Sequence, residues 1–127
     1  MFQYTIGFIG TGNMGAALVR AACKGIGPQQ VVVTNHTPAK AQALAKEVGC
    51  QVVLTNEEVV RQSKFIMLGV KPHILPEVLR QIAPVVKECM DHGEEKILVS
   101  MAAGVTMESM YQQLNLPDRV PVLRIMP

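Results

Sequence analysis

Tryptophan is absent from this sequence, and aromatic residues are scarce throughout, with two tyrosines and three phenylalanines in 127 residues. A core must therefore rest on Val, Ile, Leu, Met and Ala, and an apolar content of 49% makes a buried sheet plausible and disorder implausible. Long apolar runs are also missing. None is long enough to cross a bilayer, and the N-terminus lacks the charge pattern of a signal peptide. Charge of one sign is not in excess: the net charge is +2, with no clustered basic stripe, which argues against a nucleic-acid partner. Cysteine is limited to Cys23, Cys50 and Cys89. An odd number, widely spaced and without a CxxC, excludes a disulfide frame and a zinc site. It fits reduced thiols packed as small core residues in a cytoplasmic protein. No His is placed to make one of them a catalytic nucleophile. There is no internal repeat beyond a βα alternation, no low-complexity tract and no inter-domain linker.

What the sequence does have is glycine at particular places. Tyr4 to Gly15 reads Tyr-Thr-Ile-Gly-Phe-Ile-Gly-Thr-Gly-Asn-Met-Gly. An apolar run over Ile6 to Ile9 leads directly into Gly10-x-Gly12-x-x-Gly15, and a helical pattern follows. This is the order of a strand, a phosphate-cradling turn and a helix N-terminus. Gly10 permits the tight turn, Gly12 carries no side chain to block a pyrophosphate, and Gly15 lets helix and strand pack closely. The helix start offers unpaired N–H groups and the positive end of its dipole.

The rest of the chain continues the alternation. Strands are expected at Thr5 to Ile9, Gln30 to Thr34, Val52 to Leu54, Phe65 to Val70, Ile97 to Ser100 and Val120 to Ile125. A first helix from Asn13 to Lys24 has Met14, Ala17, Leu18, Ala21 and Ala22 as its apolar face and stops at Gly25, Gly27 and Pro28. Pro38 opens a second helix that ends near Val48 and Gly49. Thr55 or Asn56 caps a third through Gln62, with Glu57 and Glu58 in its favoured first turn. A fourth runs from His73 to Asp91, with Pro84 expected to kink or split it, and Thr106 caps a fifth through Leu114. The methionines are read as packing residues. The fold expected is α/β: a doubly wound, mostly parallel sheet of about six strands, of Rossmann type, with helices on both faces, occupying residues 1–127 as one domain.

Ligands of such sheets bind beyond the C-terminal ends of the strands. That rule marks four loops: Gly10 to Gly15, Asn35 to Thr37, Val70 to Pro72 and Ser100 to Gly104. An NAD-binding version places Asp or Glu after the second strand, about 20 residues past the glycines, to hold the ribose 2′-hydroxyl. Here Asn35 stands there, which does not repel a 2′-phosphate. His36, Thr37 and Lys40 follow as donors, with Lys40 at a helix start that also favours an anion. NADP(H) is therefore the expected cofactor and NAD(H) the alternative. In the competing structural reading, Asn35 caps a turn and Lys40 is a solvated surface lysine.

Gly7-Phe-Ile-Gly-Thr-Gly-Asn-Met-Gly15, Asn35-His-Thr37, Val70-Lys-Pro72, Ser100-Met-Ala-Ala-Gly104 and Arg124-Ile-Met-Pro127 together resemble pyrroline-5-carboxylate reductase, in order and at family spacings over the whole chain. The glycine motif is shared with many dehydrogenases, whereas the Val-Lys-Pro and Ser-x-Ala-Ala-Gly pair is far more specific. The resemblance implies NAD(P)H-dependent reduction of the cyclic imine 1-pyrroline-5-carboxylate to L-proline, the last step of proline biosynthesis. It places Gly10, Thr11, Gly12, Asn13, Met14 and Gly15 at the pyrophosphate, and Asn35, His36 and Thr37, with Lys40 beside them, at the adenosine 2′-group. Asn56, Val70, Lys71 and Pro72 come beside the nicotinamide ribose, and Ala102, Ala103 and Gly104 near the nicotinamide and imine. Lys71 is read either as ordering cofactor or substrate carboxylate, or as a solvated strand-end lysine. Asn56 is read as a ribose contact, as a helix cap, or as both.

The sequence departs from that family twice. His36 stands where arginine is often found. The chain also reaches only Pro127, where the family continues with a helical domain that dimerises and completes the substrate pocket. That domain carries the proposed proton donor, so none is assigned here. The expectation is a cofactor-binding part that binds nucleotide but turns over little alone, within a homo-oligomeric full-length protein. Two other readings remain: a β-hydroxyacid-dehydrogenase-type oxidoreductase domain, and a stand-alone nucleotide-sensing module without catalysis.

Overall fold

In a computed structural model, residues 3–102, 104–117 and 119–125 are described, with the Asn13 side chain excepted. Among them six strands and five α-helices alternate: β1 (Tyr4–Ile9), α1 (Asn13–Ile26), β2 (Val31–Thr34), α2 (Pro38–Val48), β3 (Gln51–Val52), α3 (Asn56–Gln62), β4 (Ser63–Leu68), α4 (Leu75–Asp91), β5 (Ile97–Ser100), α5 (Met107–Leu114) and β6 (Val122–Arg124). All strand pairs are parallel, in the order β3-β2-β1-β4-β5-β6. This is the doubly wound Rossmann order, with its switch point between β1 and β4.

Burial on both faces explains why β2 is an uninterrupted apolar run: Val31, Val32, Val33 and Thr34 are all buried. One face of the sheet packs Phe8, Val31 and Val33 against Val19 and Cys23 of α1 and Ala41 and Leu44 of α2. The other packs Ile9, Ile66, Leu68 and Leu98 against Val59 and Val60 of α3, Leu79 and Ile82 of α4, and Met110 and Leu114 of α5. Right-handed crossovers require this division, because the chain winds outward from β1 in one direction and then returns to wind outward in the other.

The element order follows the apolar runs and the Gly and Pro punctuation, with local corrections. The apolar face of α1 is Ala16, Leu18, Val19, Ala22 and Cys23, so Leu18 and Ala22 lie where expected; Met14, Ala17 and Ala21 are exposed, Met14 to 45%. Met107 is likewise 41% exposed, so the methionines are not uniformly core residues, although Met110 is fully buried. Helix α1 runs through Gly25 to Ile26 and stops at Gly27. Strand β3 is two residues long, and β4 starts at Ser63 with no loop after α3, leaving Val70 outside it. The last strand covers Val122–Arg124 only. Pro84 does not split α4, which is one helix from Leu75 to Asp91. Pro84 lies on the exposed side, while Ile82, Ala83, Val85 and Val86 around it are buried. Their burial offsets the one backbone hydrogen bond a proline removes.

The three thiols are free and buried. Burial, and then the neighbouring Cys23, push the Cys50 thiol up to about 11. Burial also raises those of Cys23 and Cys89. At the N-terminal end of the sheet Lys96 is 2% exposed. Its Nζ donates to the carbonyls of Ser63 at 2.7 Å and Arg61 at 3.2 Å and lies 3.5 Å from Glu94. These carbonyls close α3, where the helix dipole favours a cation.

Candidate dinucleotide site

The C-terminal edge of the sheet gathers the loops marked from the sequence. Gly10 has φ +88°, a left-handed conformation that a side chain would strain. A Cβ on it would also lie 2.8 Å from the Gly69 carbonyl oxygen and 2.9 Å from Val70 Cγ1. The ends of β1, β2 and β4 are stitched here: Gly10 N–H donates to Thr34 O at 3.0 Å and Gly69 N–H to Ile9 O at 2.8 Å. A Cβ on Gly15 would stand 3.0 Å from the Gly10 carbonyl oxygen, so α1 approaches the turn as closely as it does only without one.

Gly12 differs. Its φ of −65° suits any residue, and a Cβ on it would meet nothing within 4 Å. The protein's own packing gives no reason for glycine there. What the missing side chain does is keep open the approach to the start of α1. That start has no side-chain cap, so its first N–H groups remain available to a ligand. The start of α2 is uncapped as well, with Thr37 at its N-cap making no side-chain cap bond. By contrast, Thr55 accepts from the Glu58 N–H at 3.1 Å to cap α3, and Thr106 accepts from the Ser109 N–H at 3.0 Å to cap α5.

Asn35 joins two of the loops. Its Nδ2 donates to Thr11 Oγ1 at 2.6 Å, and its Oδ1 accepts from the Thr37 N–H at 3.0 Å. This is an Asx turn tied to the glycine loop, so Asn35 is engaged structurally at both ends. His36 is exposed beside it, and Lys40, the third residue of α2, is exposed with no side-chain partner among the described residues.

A groove of about 400 Å³ runs from the turn across to α3 and α4, lined by Ile9, Gly10, His36, Asn56, Val70, Ile74, Glu77, Val78 and Gln81. It thus brings Gly10, His36, Asn56 and Val70 together. Thr11, Gly12, Met14, Gly15, Asn35, Thr37, Lys40, Lys71, Pro72, Ala102 and Gly104 do not line it. Lys71 and Pro72 are exposed, and the Lys71 carbonyl accepts from the N–H groups of Ile74 at 2.9 Å and Leu75 at 3.1 Å to start α4. Ala102 is buried and donates its N–H to Ser100 Oγ at 3.2 Å, while Gly104 is exposed at φ +77°. Ala103, Met126 and Pro127 lie outside the described residues. Asn56 is not the cap of α3, since Thr55 is. Its Nδ2 instead donates to Gln81 Oε1 at 2.8 Å. Glu77 and Gln81 were not anticipated. Their one sequence signal is their position one turn apart on the polar face of α4. Among the described residues, no cluster of three or more His, Cys, Asp or Glu forms a metal site, and no helix is long and apolar enough to cross a membrane.

Residues 5–104 match the model of the family described as NADP oxidoreductase coenzyme F420-dependent. Pyrroline-5-carboxylate reductase 3 of Danio rerio is 40% identical, over 100% of this chain and 42% of that protein. A pyrroline-5-carboxylate reductase structure from Coxiella burnetii superposes with a TM-score of 0.85 at 25% identity, covering 98% of this chain and 44% of that one. The Plasmodium falciparum pyrroline carboxylate reductase, solved with NADP bound, has a TM-score of 0.70 at 24% identity, over 90% and 39% of the two chains. The chain thus spans less than half the length of these relatives. It belongs to the NADP oxidoreductase coenzyme F420-dependent family, and its likeness to pyrroline-5-carboxylate reductases extends over its whole length.

Proposed function

We propose that the chain is the dinucleotide-binding part of a pyrroline-5-carboxylate reductase, that it takes NADP(H) in preference to NAD(H), and that the whole enzyme reduces 1-pyrroline-5-carboxylate to L-proline. The observation that carries the reading is Gly12, a glycine with ordinary backbone angles and open space around it at the uncapped start of α1. A pyrophosphate fits that space, because the first-turn N–H groups and the helix dipole both favour an anion. Gly10 and Gly69 keep the turn low. Asn35 holds Thr11 and Thr37 in register and has no carboxylate to repel a 2′-phosphate. His36, the Thr37 hydroxyl and Lys40, at the uncapped start of α2, are the groups left to receive one. Val70 and Asn56 wall the groove towards the nicotinamide ribose, and Ala102 and Gly104 lie at the end of β5, where small residues leave room for the ring. A reduced nicotinamide supplies the hydride, and the protein supplies position and exclusion of water.

The substrate carboxylate site and proton donor of such an enzyme belong to a helical dimerisation domain outside these 127 residues, and the complete protein is a cytoplasmic homo-oligomer. Lys71, exposed at the end of the β4 loop, is the candidate here for ordering cofactor or substrate. The test is calorimetric titration of the chain with NADPH and, separately, NADH. Clear preference for NADPH is the expected result. Equal or reversed affinities overturn the 2′-phosphate reading, and binding of neither overturns the nucleotide reading. The chain alone is expected to give no steady-state reduction of 1-pyrroline-5-carboxylate; turnover at an ordinary enzyme's rate contradicts the assignment of half the site to another domain.

A further inference from the structure

A short relay of polar side chains runs out of the groove to Glu57, and its direction is set from that end. Asn56 Nδ2 donates to Gln81 Oε1 at 2.8 Å, and Gln81 Nε2 donates to Glu57 Oε1 at 3.2 Å. A carboxylate only accepts, so Glu57 requires the NH₂ end of Gln81. The carbonyl end of Gln81 is then turned to Asn56 and requires the NH₂ end of that residue. The two ends of an asparagine amide have the same shape and opposite hydrogen-bonding character. The relay therefore selects one of the two orientations, and what it leaves over is Asn56 Oδ1, which receives no donor among the described residues. Asn56 and Gln81 both line the groove, and Asn56 is half-buried on α3 while Gln81 is on α4. The contact thus also spans the α3–α4 packing.

We infer that Gln81 and Glu57 are positioning residues that hold Asn56 with its carbonyl oxygen available as an acceptor for a sugar hydroxyl of the bound dinucleotide. The inference rests on the dinucleotide reading of the groove. The relay itself exists without ligand, however, and is tested separately. An asparagine already oriented by its neighbours loses less rotational freedom when the ligand arrives. Without the relay, the same side chain is free to present either end.

Two measurements decide it. In ligand-free ¹⁵N spectra, Gln81→Met should move the Asn56 side-chain NH₂ resonances, and Glu57→Gln should move them less. Unchanged Asn56 NH₂ signals in Gln81→Met overturn the relay, whatever the chain binds. In NADPH titrations, Gln81→Met should weaken affinity about two- to tenfold, the worth of one hydrogen bond, at an unchanged thermal midpoint. In an Asn56→Ala background the same substitution should have no effect. Equal losses in both backgrounds, or no loss in either, overturn the positioning role. A wild-type chain that binds no NADPH overturns it together with the dinucleotide reading, even where the relay signals behave as expected.

Discussion

Two alanine substitutions two residues apart separate what glycine does for the fold from what it does for the ligand. In Gly10→Ala the new Cβ must occupy a backbone at φ +88° and lie 2.8–2.9 Å from Gly69 O, Gly69 C and Val70 Cγ1. The left-handed conformation costs about 1–2 kcal/mol and the overpacking about 1–3 kcal/mol, a total of roughly 2–5 kcal/mol. Against a domain stability of about 5–15 kcal/mol, this is a large fraction. It should lower the urea midpoint, read by far-UV circular dichroism in a chain without tryptophan, by roughly 1–3 M. Gly12→Ala adds a Cβ that meets nothing within 4 Å at φ −65°. The reduced freedom of the unfolded chain offsets the poorer N-cap, so the stability should stay within about 0.5 kcal/mol of wild type. The methyl group does stand in the path to the start of α1. Losing one charge-assisted hydrogen bond to a displaced pyrophosphate is worth about 1.5–3 kcal/mol, so NADPH affinity should fall at least about tenfold. A Gly10→Ala protein as stable as wild type refutes the packing argument. A Gly12→Ala protein that binds NADPH as wild type does refutes the placement of the pyrophosphate.

Asn35→Asp keeps the acceptor for the Thr37 N–H, replaces the donor to Thr11 Oγ1 with an acceptor to which the Thr11 hydroxyl can turn, and adds a negative charge. It should weaken NADPH binding by about tenfold or more and change NADH binding little, as read by calorimetry. Lys96→Met fills the same space but leaves the Arg61 and Ser63 carbonyls without their donor, and should cost about 1–3 kcal/mol by urea denaturation. The Cys50 thiol is pushed from 9.0 to about 11. Its folded-state value is thus the higher one, and the stability it contributes is complete below pH 9 and is lost as the pH rises towards 11. The loss should be about 2 kcal/mol over that window relative to Cys50→Ala; superimposable pH profiles for the two proteins refute it.

How far the sequence could be read depended on whether the information was local. Apolar runs set off by Gly25, Gly27-Pro28, Gly49 and Pro72 gave every strand and helix its place, because a doubly wound sheet buries its strands on both faces and leaves no ambiguity of period. The errors fell where tertiary packing overrides local preference. Pro84 sits in an unbroken α4 because the burial of Ile82 and Val86 holds the helix together. On α1, Leu18 and Ala22 pack inward as expected, but Ala16, Val19 and Cys23 complete the face in place of Met14, Ala17 and Ala21, because Gly15 is what fits against the turn. At the candidate site, the junction of strand, tight turn and helix at Gly10 to Gly15 was legible from spacing alone. Asn35 was also visible as the residue in place of an acid, though not its bond to Thr11, 24 residues away. Gln81 and Lys96 were invisible for the same reason. Their partners, Asn56 and Ser63, lie 25 and 33 residues away, and nothing in either neighbourhood marks the pairing.

In the proposed complex a dinucleotide lies across the C-terminal edge of the sheet with its pyrophosphate at Gly12. An ¹⁵N-labelled chain titrated with NADPH tests it residue by residue. The account predicts that the largest backbone amide shifts fall on Gly10, Thr11, Gly12, Met14 and Gly15, with further shifts at His36, Asn56, Val70 and Gly104 and none around Lys96 and Cys89. Shifts concentrated at the opposite end of the sheet, or saturation with the Gly12 amide unmoved, contradict it.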